Sequence, residues 1–302
     1  MSLLLRRYAA VVAVSLVVAV ASLTPIGVAT SSAGAASSPP TSPLLAPGDH
    51  VETLTWGGLV RTYIVHVPTG VSTAGRPLVL VFHGATDTAL STLQGTDFEQ
   101  AADQAGDIVV FMQGYDDTWN ELTGRTPAAQ AHVDDIGFTS AVMNALRAST
   151  NYDVKKVAAV GLSNGALLVE TMGCHLASRL TLIVPVEGEL ASVISPRCSP
   201  SRPLSVLEIH GTADATIPYT GGKFVGVGGG TVKVLSAPNS VRRWATLDHC
   251  SSKAQTVNRP GFTLTRYSHC QSSVSVTLRT IIGGQHVWGS NIGSLVTAAL
   301  GH

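Results

Sequence analysis

Three residues far apart in this chain of 302 residues carry side chains that could together make a reactive hydroxyl: Ser163, Asp214 and His286. Ser163 lies in V-A-A-V-G-L-S-N-G-A-L-L, where an apolar run ends at Gly161 and a helical pattern starts just after the serine. On such a strand-to-helix turn, flanking glycines let the two arms approach closely while the serine holds unfavourable dihedrals. Its hydroxyl then projects from the sheet edge, and the helix N-terminus points at any developing oxyanion. The pentapeptide G-x-S-x-G carries little weight alone in a chain rich in both residues, so its partners must be found.

A serine attacks a carbonyl only when a base takes its proton, and the base needs an acid to fix its tautomer. In a site of this geometry the partners follow in the order serine, acid, histidine. Asp214 comes after the apolar run in P-L-S-V-L-E-I-H-G-T-A-D-A-T-I-P-Y, and His286 after the last such run, in T-I-I-G-G-Q-H-V-W-G. Both positions are loops following strands, the edge at which open α/β sheets bind ligands. Glu187 and Glu189 are the alternatives to Asp214. Asp248, late in a helical pattern, reads as solvated or helix-supporting, and Asp134 and Asp135 read as helix caps. Among other histidines, His66 falls in a hairpin, His210 at a strand end, and His249 and His269 beside cysteines. The turn in L-V-L-V-F-H-G-A-T-D supplies a second oxyanion donor, so the backbone N–H groups of Ala85 and Asn164 are expected, with Thr86 the lesser candidate.

The elements that must position these residues are legible as runs. H-V-E-T-L-T-W-G-G-L-V-R-T-Y-I-V-H-V-P alternates around Gly57-Gly58, a hairpin signal. Six Val-, Ile- and Leu-rich runs then end at glycine: R-P-L-V-L-V-F-H-G, D-I-V-V-F-M-Q-G, K-K-V-A-A-V-G, L-T-L-I-V-P-V-E-G, P-L-S-V-L-E-I-H-G and S-V-T-L-R-T-I-I-G-G. Unbroken apolar runs fit strands covered on both faces. Helices are expected in D-D-I-G-F-T-S-A-V-M-N-A-L-R-A, after Ser163, in S-V-R-R-W-A-T-L-D-H and in S-N-I-G-S-L-V-T-A-A-L. The order predicts a mostly parallel sheet with helices on both faces and an N-terminal antiparallel hairpin. V-G-V-G-G-G-T lacks the strand and helix of a dinucleotide fingerprint and reads as a surface loop or hairpin turn.

Composition bounds the rest. The basic pair Arg6-Arg7, an apolar run and then S-S-A-G-A-A-S-S read as a signal peptide over residues 1–36, with cleavage after Ala35 or Ala36. The run is too short for a spanning anchor. A Pro/Ser-rich tether over 37–48 follows, and one α/β domain over 49–302. Charged residues make up 13% of the chain and the formal net charge is zero, which excludes the basic footprint of a nucleic-acid binder. The four cysteines, Cys174, Cys198, Cys250 and Cys270, are expected as disulfides in an exported chain. Of three pairings, sequence order favours Cys174 with Cys198 and Cys250 with Cys270. Histidines adjoin three of them, but the close ligand pairs of a zinc site are missing, so no metal is expected.

As an ordered set, R-T-Y-I-V-H-V-P, L-V-L-V-F-H-G, W-N, D-D-I-G-F, V-G-L-S-N-G, I-H-G-T-A-D-A-T-I-P-Y-T-G-G and G-G-Q-H-V-W-G resemble the secreted poly(3-hydroxybutyrate) depolymerase and feruloyl esterase-like group of α/β-hydrolases. The resemblance runs from about Arg61 to about Trp288. It implies the α/β-hydrolase fold and an esterase with Ser163 as nucleophile, Asp214 as acid and His286 as base. It also implies a Cys250–Cys270 disulfide and places Trp119 and Trp288 as candidate walls of the substrate cleft. The implied partner is an ester substrate, as polyester, oligoester or aryl ester, met by a secreted monomer that needs no cofactor and no membrane anchor. A feruloyl or acetyl esterase of plant cell-wall carbohydrate, or an exported binding protein on the same scaffold, are the alternatives. One departure stands out: where the group continues with a small residue and glycine, this chain has Glu187-Gly188-Glu189, two carboxylates that would alter the cleft or lie in solvent.

Overall fold

The apolar runs become adjacent strands because their side chains alternate between two buried faces. In the computed structural model, which describes residues 44–70 and 75–301, the strands are β1 (Gly48–Trp56), β2 (Leu59–Val67), β3 (Leu78–Phe82), β4 (Ile108–Met112), β5 (Val157–Leu162), β6 (Leu182–Val186) and β7 (Ser205–Gly211). They continue as β8 (Gly222–Val225), β9 (Thr231–Val234), β10 (Gln255–Arg259), β11 (Phe262–Tyr267) and β12 (Val276–Ile281). Ten of them form one sheet in the order β1-β2-β4-β3-β5-β6-β7-β12-β11-β10. Its centre, from β4 to β12, is parallel, and both edges are antiparallel.

The helices are α1 (Ala89–Gly95), α2 (Phe98–Ala105), α3 (Pro127–Gln130), α4 (Asp135–Thr150), α5 (Asn164–His175), α6 (Ala237–Leu247) and α7 (Ile292–Leu300). Leu78, Leu80 and Phe82 of β3 pack with Phe138 and Val142 of α4, Leu168 of α5 and Trp244 of α6. Val79 and Val81 pack on the opposite face with Leu93 of α1, Phe98 of α2 and Ile292 of α7. The period of two along one strand thus feeds two cores, which is why the run has no polar residue.

The first hairpin turns at Gly57-Gly58, both with positive φ (58° and 79°), the backbone a two-residue turn of this hand requires. Asp134 caps α4, accepting the Gly137 N–H at 2.8 Å, while Asp135 is buried and pairs with Arg61 at 2.7 Å. Both disulfides join the expected partners, Cys174 to Cys198 and Cys250 to Cys270. That leaves no free thiolate for zinc.

Several elements differ from expectation. The β10–β11 hairpin was not legible, because every residue of β10 is exposed and no apolar run marks it. Helices α1 and α2 are short, and α1 is held by a Thr88–Ser91 capping box rather than by a long apolar stripe. Asp248 is fully buried, accepting the Leu204 N–H at 3.2 Å, so it is not solvated. The export segment and residues 37–43 lie outside the described residues. The end of the tether does not: Leu45 packs on the core and donates its N–H to the Ser149 carbonyl at 2.8 Å, and β1 opens at Gly48. Among the described residues no helix is long and apolar enough to cross a membrane.

Candidate active site

Strand register brings the site together. Phe82 lies opposite Gly161, Leu162 opposite Val186, Val186 opposite Ile209, and Gly211 opposite Ile281, so the loops after β3, β5, β6, β7 and β12 leave one edge of the sheet side by side. Ser163 stands between β5 and α5 at φ 55°, ψ −117°, a conformation that costs an ordinary residue energy and persists only where its surroundings impose it. Those surroundings are visible. A Cβ on Gly161 would lie 2.3 Å from the Gly165 carbonyl oxygen, and one on Gly165 would lie 2.3 Å from that of Phe82. The Ser163 N–H is tied to the Val186 carbonyl at 2.9 Å. The two glycines of the motif therefore serve the approach of α5 to β3 and β5, which fixes the strained serine.

His286 and Asp214 are joined. His286 Nδ1 donates to Asp214 Oδ2 at 2.7 Å, and Asp214 Oδ1 accepts the N–H groups of Thr216 at 2.7 Å and Ile217 at 2.9 Å. The carboxylate is thus fixed at both oxygens, and it selects the tautomer that leaves His286 Nε2 unprotonated. Burial would raise the Asp214 pKa, but hydrogen bonds from His210 and His286 and the Thr216 N–H outweigh it and hold the carboxyl well below the usual range. No hydrogen bond joins Ser163 Oγ to His286 in this structure. In substrate-free enzymes this contact is commonly long and tightens when substrate binds.

The N–H groups near Ser163 differ in whether they are spoken for. Thr86 donates to the Asp117 carbonyl at 2.9 Å. Ala85 and Asn164 line the same cavity as Ser163, and no acceptor among the described residues takes either N–H. Trp119 knits the two segments together: its N–H reaches Asn164 Oδ1 at 2.8 Å and its Nε1–H reaches the His83 carbonyl at 2.9 Å. His83 accepts the Gly114 N–H on Nε2 at 2.9 Å and donates from Nδ1 to the Gly84 carbonyl. The expected role of Trp119 as a cleft wall is therefore corrected. It is fully buried and supports the oxyanion turn from behind.

The Ser163 cavity measures about 60 Å³ and is mostly apolar, with Leu167 and Ile217 beside Phe224, Val225 and Val232. The last three belong to the β8–β9 hairpin, whose turn is the glycine-rich V-G-V-G-G-G-T. Sequence reasoning missed this wall, although the alternating K-F-V and T-V-K-V flanking the turn could have marked it. Trp288 stacks edge-on against Phe98 at 5.8 Å and lines a second cavity, of about 240 Å³, with Ile209, Phe262, Arg279 and the neighbours of His286, Gln285 and Val287. Neither tryptophan lines the space around Ser163.

Glu187 and Glu189 are buried, at 3% and 0% exposure, so they neither reach solvent nor line the Ser163 cavity. They face His210: Glu189 Oε1 is 2.8 Å from Nδ1, while Glu187 Oε2 and Asp214 Oδ2 both lie 3.3 Å from Nε2. Burial pushes Glu187 up to about 8 and Glu189 up to about 7.

No family model matches the chain. It is 30% identical over 232 residues to feruloyl esterase B of Piromyces equi, covering 76% of this chain and 43% of that protein. NocK of Nocardia uniformis subsp. tsuyamanensis, a protein named as an esterase, is 26% identical over 76% of this chain and 71% of its own length. The bifunctional acetylxylan esterase/xylanase XynS20E of Neocallimastix patriciarum is 23% identical over 76% of this chain. The chain spans only 43% of the first of these relatives and 31% of the third. Among solved structures, an acetyl xylan esterase from Aspergillus awamori superposes with a TM-score of 0.61 at 13% identity, covering 83% of this chain and 99% of that one. A fluorophosphonate-binding serine hydrolase of Staphylococcus aureus gives 0.54 at 11% identity, over 85% of this chain and all of the other. The chain has the α/β-hydrolase fold and, over about three quarters of its length, a sequence similar to a feruloyl esterase-like group of proteins named as esterases.

Proposed function

We propose that the protein is an exported serine esterase with Ser163 as nucleophile, His286 as general base and Asp214 as the acid that orients and stabilises His286. Ser163 Oγ attacks an ester carbonyl as His286 Nε2 takes its proton. The tetrahedral oxyanion rests on the N–H groups of Ala85 and Asn164, at the N-terminus of α5. His286 then gives its proton to the leaving alcohol, and the acyl-enzyme is released by water with His286 again as base. Asp214 remains a carboxylate throughout. The observation that carries the reading is the strained backbone of Ser163, which a plain strand-to-helix turn has no reason to hold, above the His286–Asp214 pair at the same sheet edge. It also weighs against a non-catalytic binding protein on this scaffold. Export is supported by the N-terminal pattern of residues 1–36 and by the two disulfides.

On substrate, the named relatives favour acyl esters of cell-wall carbohydrate, such as feruloyl or acetyl groups, while the ordered sequence motifs favour 3-hydroxybutyrate oligoesters. Release of ferulate, acetate and 3-hydroxybutyrate from matched substrates by the purified protein separates them. The esterase reading itself is tested by Ser163→Ala. Ester hydrolysis and fluorophosphonate labelling should both vanish, and hydrolysis persisting at the parent rate ends the proposal.

A further inference from the structure

A buried imidazole stands behind the triad acid, and the reaction just described gives it no part. His210, at the end of β7, is fully buried. Its Nε2 lies 3.0 Å from the Ile217 carbonyl, which can only accept and so fixes a proton on that nitrogen. The same nitrogen is 3.3 Å from Asp214 Oδ2, the oxygen that takes the His286 Nδ1–H, and 3.3 Å from Glu187 Oε2. On the other edge of the ring, Nδ1 is 2.8 Å from Glu189 Oε1, an ion-pair distance without the alignment of a hydrogen bond.

Titratable groups face this ring from several elements. Glu187 and Glu189 come from the turn after β6, Asp214 from the loop after β7 and Glu208 from β7 itself, with Glu170 of α5 acting on Glu208 and Glu189 in turn; Thr280 of β12 lies opposite, and the Tyr219 ring meets the imidazole edge-on at 5.8 Å. His286 lies across Asp214. The turn is itself constrained: Glu187 holds a positive φ of 51°, and its carboxylate oxygens accept the Gly211 N–H at 3.1 and 2.9 Å. A side chain on Gly188 would lie 2.9 Å from the Ser163 carbonyl oxygen, so the turn is braced against the nucleophile's own backbone.

We propose that His210 is a positioning residue for the triad acid: it shares Asp214 Oδ2 with His286, and the Glu187-Gly188-Glu189 turn holds it there as a cation. The inference rests on the esterase reading. Burial alone would lower the pKa of His210, but Asp214, Glu189 and Glu187 outweigh it and push it up to about 11. The reciprocal effect is on Asp214, where the His210 hydrogen bond leads the influences that keep the carboxyl ionised. The cation lies within 3.3 Å of three acids, and Asp214 is the one that also takes the His286 Nδ1–H and two backbone N–H groups. The cation also takes up part of the charge that Asp214 would otherwise present to His286. Glu187 and Glu189, the departure from the group's small residue and glycine, thereby acquire a purpose.

His210→Gln tests this, since its amide can still donate to the Ile217 carbonyl but carries no charge. Two measurements are needed: the pH profile of kcat/KM on p-nitrophenyl acetate, and ¹⁵N-histidine NMR of the full protein. The wild type should show one histidine with both ring nitrogens protonated at pH 8, absent from the variant. In His210→Gln the acid limb should move to higher pH by about one unit with KM nearly unchanged. A residue that merely packs would lower the melting temperature without moving the limb. Should His210→Gln not fold, Glu189→Gln replaces it, and the cationic signal should then titrate below pH 9. An unmoved acid limb in the folded variant, or a neutral His210 at pH 8 in the wild type, overturns the proposal. If the wild type hydrolyses no ester, the esterase reading fails instead, and the NMR signal still decides the charge on His210.

Discussion

Raising the pH from 5.5 to 7.5 should destabilise this fold, although most carboxylate-bearing proteins are comfortable over that range. The reason is the set of acids buried in the core. Burial is the largest cause in each case and pushes Glu170 up to about 8, Glu187 to about 8, Glu189 to about 7 and Asp248 to about 7, with Glu208 also well raised. In the unfolded chain the same groups release their protons near pH 4. An acid whose folded pKa is raised contributes stability that is complete below the unfolded value and lost as the pH climbs through the folded one, because the folded chain alone still holds the proton. His210 works in the same direction: above pH 6.5 the unfolded imidazole is neutral while the folded one keeps its charge. Asp214 has the opposite sign, but its folded value lies below this window and it contributes nothing to the slope here. Glu170, Glu189 and Glu208 influence one another and His210, so the six groups do not act independently. Two extra protons held by the folded state give a loss of roughly 2 to 3 kcal/mol per pH unit. For a domain of this size that is a fall in melting temperature of roughly 5 to 10 °C per unit. Thermal melts in buffers of matched ionic strength, with urea titrations at pH 5.5 and 7.5, measure it. Glu208→Gln, which has no proton to lose, should flatten the slope by about one proton. A melting temperature that is level or rises between these pH values would refute the reasoning.

Two further perturbations probe the frame of the site. Gly165→Ala places a Cβ against the Phe82 and His83 carbonyl oxygens at 2.3 and 2.6 Å, so α5 must back away from β3 and carry Ser163 and Asn164 away from Ala85. The expected result is a loss of roughly a hundredfold in kcat/KM and about 1 to 3 kcal/mol of stability, and parent-like kinetics would contradict the account of the motif. The Cys250–Cys270 bond spans a sequence separation of 20 residues. Replacing both with alanine should cost about 3 kcal/mol by the loop-closure relation, read by urea denaturation, while leaving the pH profile of hydrolysis in place.

What the sequence revealed and what it hid have a common physical origin. The placement of Ser163, Asp214 and His286 at one sheet edge could be read because each follows a run whose period and length announce a strand, and because the glycines around the serine mark a local constraint. The core strands were legible for the same reason. Trp119 was misread because a tryptophan close to catalytic segments can face the cleft or the core, and only the three-dimensional course of residues 113–119 shows its Nε1–H directed at the His83 carbonyl. Trp288 turns its ring onto Phe98 of α2 and lines the second cavity beside Gln285 and Val287. Glu187 and Glu189 were expected in solvent or at the cleft, and Asp248 in solvent or supporting a helix, because charge is normally exposed. Their burial depends on neighbours contributed by β7, α5 and α6, which no local pattern encodes.

That burial also bears on how the acid of the proposed triad is selected. A carboxylate at this sheet edge has to remain ionised at 2.7 Å from His286 while Glu187 and Glu189 lie a few ångströms away around His210. Asp214 differs from them in its donors: it takes two backbone N–H groups on one oxygen and two imidazoles near the other, whereas Glu187 takes one shared N–H and both oxygens of Glu189 lack a well-formed hydrogen bond. Charge settles first on Asp214, where donors converge, and Glu187 and Glu189 ionise only at higher pH. The order of carboxyl groups along the chain would not distinguish Asp214 from Glu187 or Glu189. The distribution of N–H groups around them does.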